Sequence, residues 1–271
     1  MYLQRDDLHE RYLPALEDAR SADVSTAMGG RVRSIVDFLD RVTYRVMNTE
    51  EELDQVFQLR YESYRHMGLI GDLRDGRWSD RHDADPSYRN FGVFVDGALM
   101  GAIRVNVLSS GSRDSMALEM YPETLGPMVD AGCRIVEASR FCHSMEGVRR
   151  HPALTFATIR VVALAAVHHR CTHLTSSVRR EHLKFYERIV GARPVEGSDV
   201  PYKGHSSEVN VSLFIAAVSP MIRRAATAQQ YFLASRGETD LLFSKSAKSI
   251  PIRPTAADVL LGAPSMLETI Q

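Results

Sequence analysis

The sequence predicts an α/β (α+β) fold, a mixed and mostly antiparallel central sheet flanked by helices, and three observations carry that reading. Between residues 42 and 217 the patterns run strand, helix, two strands, strand, helix, strand, helix, strand. Two of the strands meet at Asp96-Gly97, the dipeptide that most favours a tight hairpin. The segments between the later strands are long enough for helices that cover the faces of the sheet. The chain then divides into a helical N-terminal extension (1–41), one domain (42–217) and a C-terminal extension (218–271).

In order, Leu8, Tyr12 and Leu16, then Val32, Ile35, Val36 and Leu39, have helical spacing, with Gly29-Gly30 as a break. A short strand is expected at 42–47. Thr49-x-x-Glu52 is a capping box, and it opens a helix through Leu53, Val56, Phe57, Arg60 and Tyr64 that stops at Gly68. Residues 68–90 are rich in Gly, Asp and Arg and read as a loop. Strands are expected at 91–95, 99–107 and 134–141, with a short helix near 116–121. A helix from Pro152 to Arg170 is apolar on more than one face and should be mostly buried. A strand at 172–178, a helix at 181–190 stopped by Gly191, and a strand at 208–217 complete the domain. After a helix at 221–233 the tail is Ser/Pro-rich and is expected to be loosely ordered.

The net charge is −1, so any attraction to a charged partner must come from local patches, and no nucleic-acid motif accompanies one. The chain has three cysteines, Cys133, Cys142 and Cys171, with no CxxC spacing. With no signal-peptide pattern at the start, a cytoplasmic setting is expected. No apolar run is long enough to span a bilayer, and no metal-ligand spacing such as HExxH occurs, so no metal site is expected.

The chemistry concentrates where charges interrupt apolar runs: Arg60, Arg104, and Glu137-Ala138-Ser139-Arg140-Phe141-Cys142. A buried arginine requires a carboxylate, and a buried glutamate requires a cation or a proton. Glu137 and Arg140, three apart, would face opposite sides of a regular strand, so a bulge or a strand end is needed to bring both to one cleft.

Four elements in order carry a resemblance: Leu59-Arg60-x-x-x-Tyr64, then Asp80-x-x-Asp83 with Asp85, then Gly101-x-x-Arg104, then Glu137-x-Ser139-Arg140-Phe141. Together with the helix around Phe185-Tyr186 and Gly191, they resemble the GNAT-type N-acyltransferases. Among these they resemble the long-chain N-acyl amino acid synthases, and more distantly the acyl-homoserine-lactone synthases. A lactone synthase using S-adenosylmethionine is the less favoured reading, because Ile70 stands near the position of that family's tryptophan. A catalytically silent carrier-binding module on the same fold is the third. The stretch from Ser144 to Pro152 has one glycine and lacks the GNAT phosphate-loop pattern. The donor implied is therefore an acyl group on the 4′-phosphopantetheine of acyl carrier protein, with no other cofactor.

The resemblance implies a role for each residue. Glu137 would take the proton from the acceptor amine, with Arg60, Arg104 and Arg140 as its ion partners and as sites for an acceptor carboxylate. Asp80, Asp83 and Asp85 would hold the amine of an amino-acid acceptor. Tyr64, Phe141 and Cys142 would line the substrate pocket, Cys142 as a small buried residue more than as a covalent carrier. Met145, Leu154 and Phe156 would contribute to an acyl channel. Arg149, Arg150, Arg179, Arg180 and Lys184 would form a basic face for docking the acidic carrier. A homodimer contact through either extension is left open.

Overall fold

The structure is a computed structural model that describes residues 29–202, 209–244, 251, 252 and 254 of the 271-residue chain. The helix read from Leu8, Tyr12 and Leu16, and most of the tail after residue 244, lie outside the described residues.

Helix α1 (Gly30–Leu39) turns Ile35, Val36 and Leu39 into the core, as their spacing predicts, and Phe38 with them. Strand β1 (Val42–Met47) leads to Thr49, whose side chain and that of Glu52 form the expected capping box at the start of α2 (Glu50–His66). Past the end of α2, Gly68 takes a φ of 68°, a conformation that only glycine adopts without cost. A 3-10 turn at Arg81–Asp83, capped by Asp80, interrupts the loop that follows. Strands β2 (Arg89–Val95) and β3 (Ala98–Leu108) form the hairpin, with Asp96 and Gly97 at φ 50° and 87°.

Two helices then follow, α3 (Met116–Met120) and α4 (Pro122–Asp130). The second was not expected, because Pro122 and Pro127 read as breakers. Pro122 occupies the first helical position, where its missing N–H has no partner to lose. Strand β4 (Ile135–His143) runs two residues past its expected end. A helix too short to show a period, α5 (Met145–Arg150), precedes α6 (Leu154–His168). Strand β5 (His173–Val178), α7 (Leu183–Val190), two short strands β6 (Arg193–Pro194) and β7 (Val200–Tyr202), and β8 (Val209–Ala217) complete the sheet. Helices α8 (Val218–Ala228) and α9 (Arg236–Phe243) follow.

The strand order is β1-β2-β3-β4-β5-β8-β6, with β7 also on β8, and every pairing is antiparallel except β4 with β5. The predicted mixed sheet is thus observed. One core holds α1 and α6 with residues of α8 and α9, and α6 is buried on nearly every side, as its continuous apolar run requires. A second core, on α2, joins Val56, Leu59 and Tyr64 to Phe94, Ala102 and Cys142.

The expectation of a loose tail fails at α9. Arg160 of α6 pairs with Glu238 in an ion pair whose side chains are 0% and 4% exposed, and it also donates to the carbonyl of Leu233 at 2.5 Å. A fixed charge pair in the core holds α9 down, a contact that composition alone does not reveal.

Candidate functional site

The site begins with a break in the sheet. Strands β4 and β5 pair only at Ile135↔His173, Val136↔Leu174 and Glu137↔Thr175. Beyond that point β4 continues to His143 and β5 to Val178, and the two diverge. On its other side β4 carries one extra residue against β3, since Ala102 faces Cys142 while Arg104 faces Ser139. Arg140 lies in this bulge at φ 55°, an uncommon conformation for a side chain of its size. The bulge expected between Glu137 and Arg140 is found at Arg140 itself, and both residues line one cavity.

That cavity has a volume of about 570 Å³ and fills the gap between the splayed strands. Ser63, Tyr64 and Leu69 wall it from the α2 side, and Ile159, Val162 and Ala163 of α6 with Phe185 and Tyr186 of α7 wall it from the other. It lies in the size range of sites that enclose small-molecule ligands, and most of its lining is apolar. Of the expected pocket residues, Tyr64, Phe141, Cys142 and Met145 line it. Leu154 and Phe156 instead pack in the main core. Burial pushes the Cys142 thiol up to about 11, which keeps it protonated and disfavours a covalent role.

Glu137 is 1% exposed. Its Oε2 accepts from Ser115 Oγ at 2.7 Å and Tyr88 Oη at 3.3 Å, and its Oε1 accepts from the backbone N–H of Ala117 at 3.1 Å. Burial raises its pKa above the ordinary carboxylate value against these hydrogen bonds and the charge of Arg104.

The expected ion partners of Glu137 belong to other carboxylates. Arg60 donates to Asp83 at 2.7 Å and to Asn90 Oδ1 at 3.0 Å. Arg104 donates to Asp80 at 2.7 Å and to Ser139 Oγ at 3.2 Å, and lies 3.0 Å from Asp83. Arg140 donates its Nε to Asp80 at 2.7 Å, and its guanidinium lies 4.3 Å from the centre of the Trp78 ring. Burial opposes the charge on Asp80 and Asp83, but the arginines outweigh it and hold both carboxyls below their usual range.

Two expectations are corrected by this network. Asp80 and Asp83 are occupied by arginines, and Asp85 caps the N–H of Ser87 at 2.8 Å; none of the three lines the cavity. Arg60 and Arg104 do not line it either, which leaves Arg140 as the arginine of this set at its wall. The physical reason is the folded-back loop, which puts its own carboxylates on the arginines before a ligand can reach them.

The basic residues lie beside the cavity on α5, the β5–α7 connection and the first turn of α7, and Arg179 lines it directly. Arg150 pairs with Glu146 at 2.7 Å, Arg179 with Glu181 at 3.2 Å and Arg180 with Asp199 at 2.8 Å. Among the described residues Arg149 and Lys184 have no ion pair. Val148 and Met145, exposed by 48% and 49%, lie among these residues and line the cavity.

Sequence reasoning missed Trp78, Tyr88, Ser115 and His143. An aromatic at the end of an Asp/Arg-rich loop and a serine before a short helix carry no signal of their own. Among the described residues no group of three or more His, Cys, Asp or Glu is placed to hold a metal ion. None of their helices is long and apolar enough to cross a membrane.

The sheet is thus split beside its parallel pair, with a glutamate at the base of the split and an apolar cavity within it, an arrangement suited to acyl transfer. The model of the family N-acyl amino acid synthase FeeM matches residues 55–209, more than half of the sequence, and the chain belongs to that family. The solved structure of FeeM, an N-acyl amino acid synthase from uncultured soil microbes, superposes with a TM-score of 0.55 at 17% identity, over 70% of this chain and 98% of that one. The AHL synthase LasI superposes with a TM-score of 0.49 at 20% identity, over 69% of this chain and 92% of that one. No curated protein sequence matches the chain.

Proposed function

We propose that this acyltransferase moves a long-chain acyl group from acyl carrier protein to the amine of an amino acid or a related small amine. The observation that carries the reading is the apolar cavity in the split sheet, with Glu137 at its base and exposed basic residues beside it.

Acyl transfer needs a neutral amine, since an ammonium has no lone pair to attack with. In this reading Glu137 accepts the amine proton, directly or through a water, as the nitrogen bonds to the thioester carbon. Burial raises its pKa above the ordinary carboxylate value, which makes it a stronger base than an exposed glutamate. The tetrahedral intermediate collapses by breaking the C–S bond, and the pantetheine thiolate leaves and takes up a proton. The edge of β4 beyond Glu137 has no strand partner on the β5 side, so its backbone N–H groups are available to the oxyanion and to the pantetheine arm. Arg140 sits between the cavity and Asp80, where it orders the acceptor end of the site and can meet an acceptor carboxylate. The scheme calls on no metal and no cofactor beyond the carrier's own arm. A carrier-dependent enzyme of this kind works in the cytoplasm.

The test is mass spectrometry of organic extracts from cells overproducing the protein, beside a Glu137→Gln control. New N-acyl amino acids in the parent culture alone are expected. Purified protein should use acyl carrier protein far better than the matching coenzyme A thioester. Equal rates with both donors would overturn the carrier assignment, and a lactone formed only with S-adenosylmethionine would overturn the acceptor.

A further inference from the structure

One buried titratable group in the cavity is not used by this scheme. His143, the last residue of β4, is 7% exposed and lines the cavity. Its Nε2 lies 2.9 Å from Thr158 Oγ1. The single hydroxyl proton of Thr158 is already committed to the carbonyl of Leu154 at 3.0 Å, so Thr158 accepts and His143 Nε2 carries the hydrogen. Burial lowers the ring to about 4, so it is neutral at pH 7. Its Nδ1 is therefore an acceptor, and among the described residues it has no partner.

The surroundings fix the ring. A Cβ on Gly101 would lie 2.8 Å from His143 Cδ2, so the Cδ2–Nε2 edge is held between Gly101 and Thr158. The Phe141 ring stands nearly perpendicular to it at 4.6 Å between centroids. The opposite edge, with Nδ1, is left to the cavity. Along the sheet, His143 faces Gly101 while Glu137 faces Asn106, a separation of roughly 17 Å at the rise of a strand. His143 therefore stands well away from the reaction centre, next to α5, with its exposed Met145 and Val148.

We propose that His143 is a positioning residue for the donor. Its Nδ1 accepts a hydrogen bond from an amide N–H of the pantetheine arm as that arm runs along the free edge of β4 toward Glu137. The inference rests on the carrier-linked thioester as donor. It adds a buried side-chain acceptor to a path whose walls are mostly apolar. An amide N–H entering this cavity needs an acceptor, because leaving it unpaired forfeits its hydration. A neutral imidazole locked in one tautomer supplies that acceptor and no competing donor.

Two substitutions separate this role from a structural one. His143→Asn keeps an acceptor near the Nδ1 position and loses the link to Thr158. His143→Gln keeps a donor to Thr158 and loses the cavity-facing acceptor. Binding of a non-hydrolysable acyl-pantetheine thioether is measured by calorimetry on the folded proteins, so that the readout does not depend on turnover. The parent and His143→Asn should bind within about twofold of each other, and His143→Gln about tenfold more weakly. Under turnover, His143→Gln should raise KM for the donor with kcat little changed. Binding by His143→Gln equal to the parent, a loss confined to His143→Asn, or no binding by the parent each overturns the proposal. Failure of the functional reading shows separately, as the absence of N-acylated product.

Discussion

Arg140 reaches Asp80 because the bulge in β4 turns it there, and Trp78 covers the face of the guanidinium as it does so. The contact joins the cavity wall to the long loop after α2. Asp80 also accepts from Arg104 and caps the 3-10 turn through the N–H of His82 at 2.9 Å. One carboxylate thus holds two strands and a loop together, and removing its charge weakens the hold on two largely buried arginines, of which Arg104 keeps Asp83 at 3.0 Å. Asp80→Asn should destabilise the protein by about 3 kcal/mol, measured by denaturant unfolding. A loss below 1 kcal/mol would mean that the loop is held by something else.

The same carboxylates set the response to acid. Asp80 and Asp83 have pKa values lowered in the fold, so the stability they contribute is present above the unfolded value, about 3.9, and is lost as pH falls below it. Unfolding followed by circular dichroism should show stability dropping below about pH 4, and Asp80→Asn should flatten that drop. An unchanged acid limb in the variant would remove the pair from the account.

Much of this was legible in the sequence, and the part that was not has a common cause. The capping box at Thr49, the hairpin at Asp96-Gly97 and the stop at Gly191 are local signals, readable within a few residues. That Glu137 and Arg140 could share a cleft, given a bulge or a strand end, was also legible from their spacing on a strand. The partners of the arginines were not. Asp83 lies 23 residues from Arg60, and Asp80 lies 60 from Arg140, so their pairing depends on how the loop folds back. Helix α9 hid for the same reason, since Glu238 finds Arg160 from 78 residues away.

Glu137 offers a test of base and anchor in one residue. Its site supplies two hydroxyls and one backbone N–H. A glutamine can keep Oε1 on Ala117 and turn its amide toward Ser115 and Tyr88, whose oxygens have a lone pair to accept it. Glu137→Gln should therefore fold and lose roughly 10²–10⁴ in the chemical rate. The parent's rate should rise with pH through a value above the ordinary 4.3 or so of glutamate, and that limb should vanish in the variant. The raised pKa works against stability, since its contribution is full below the unfolded value and is lost as pH rises through the folded one. Glu137→Gln should accordingly gain on the parent in melting temperature as pH rises above the unfolded value of about 4.3. Full activity in the variant would show Glu137 to be an anchor alone.

The basic face divides into paired and unpaired members, and the two should behave differently. Arg150, Arg179 and Arg180 already have acidic neighbours, whereas Arg149 and Lys184 have none among the described residues. Charge reversal at Arg149 or Lys184 should raise KM for acyl carrier protein by about tenfold at low salt and reduce its salt dependence. A small acyl-pantetheine donor should be unaffected. Equal loss with both donors would place these side chains in the cavity's chemistry and not in docking.

Chain length should be set by the α6 wall. Thr155, Ile159, Val162 and Ala163 follow one another at helical spacing along the cavity, and Ala163, the smallest of them, is 1% exposed. A larger side chain there has one direction in which to grow, because the helix is packed on its remaining sides. Ala163→Phe should shorten the acyl chains found in the product by mass spectrometry, at a stability cost of about 1–3 kcal/mol. Ala163→Leu should do so to a smaller degree, and rates with short donors should be retained in both. The same distribution of chain lengths in the parent and both variants would show that the acyl chain leaves this wall untouched and runs toward α2.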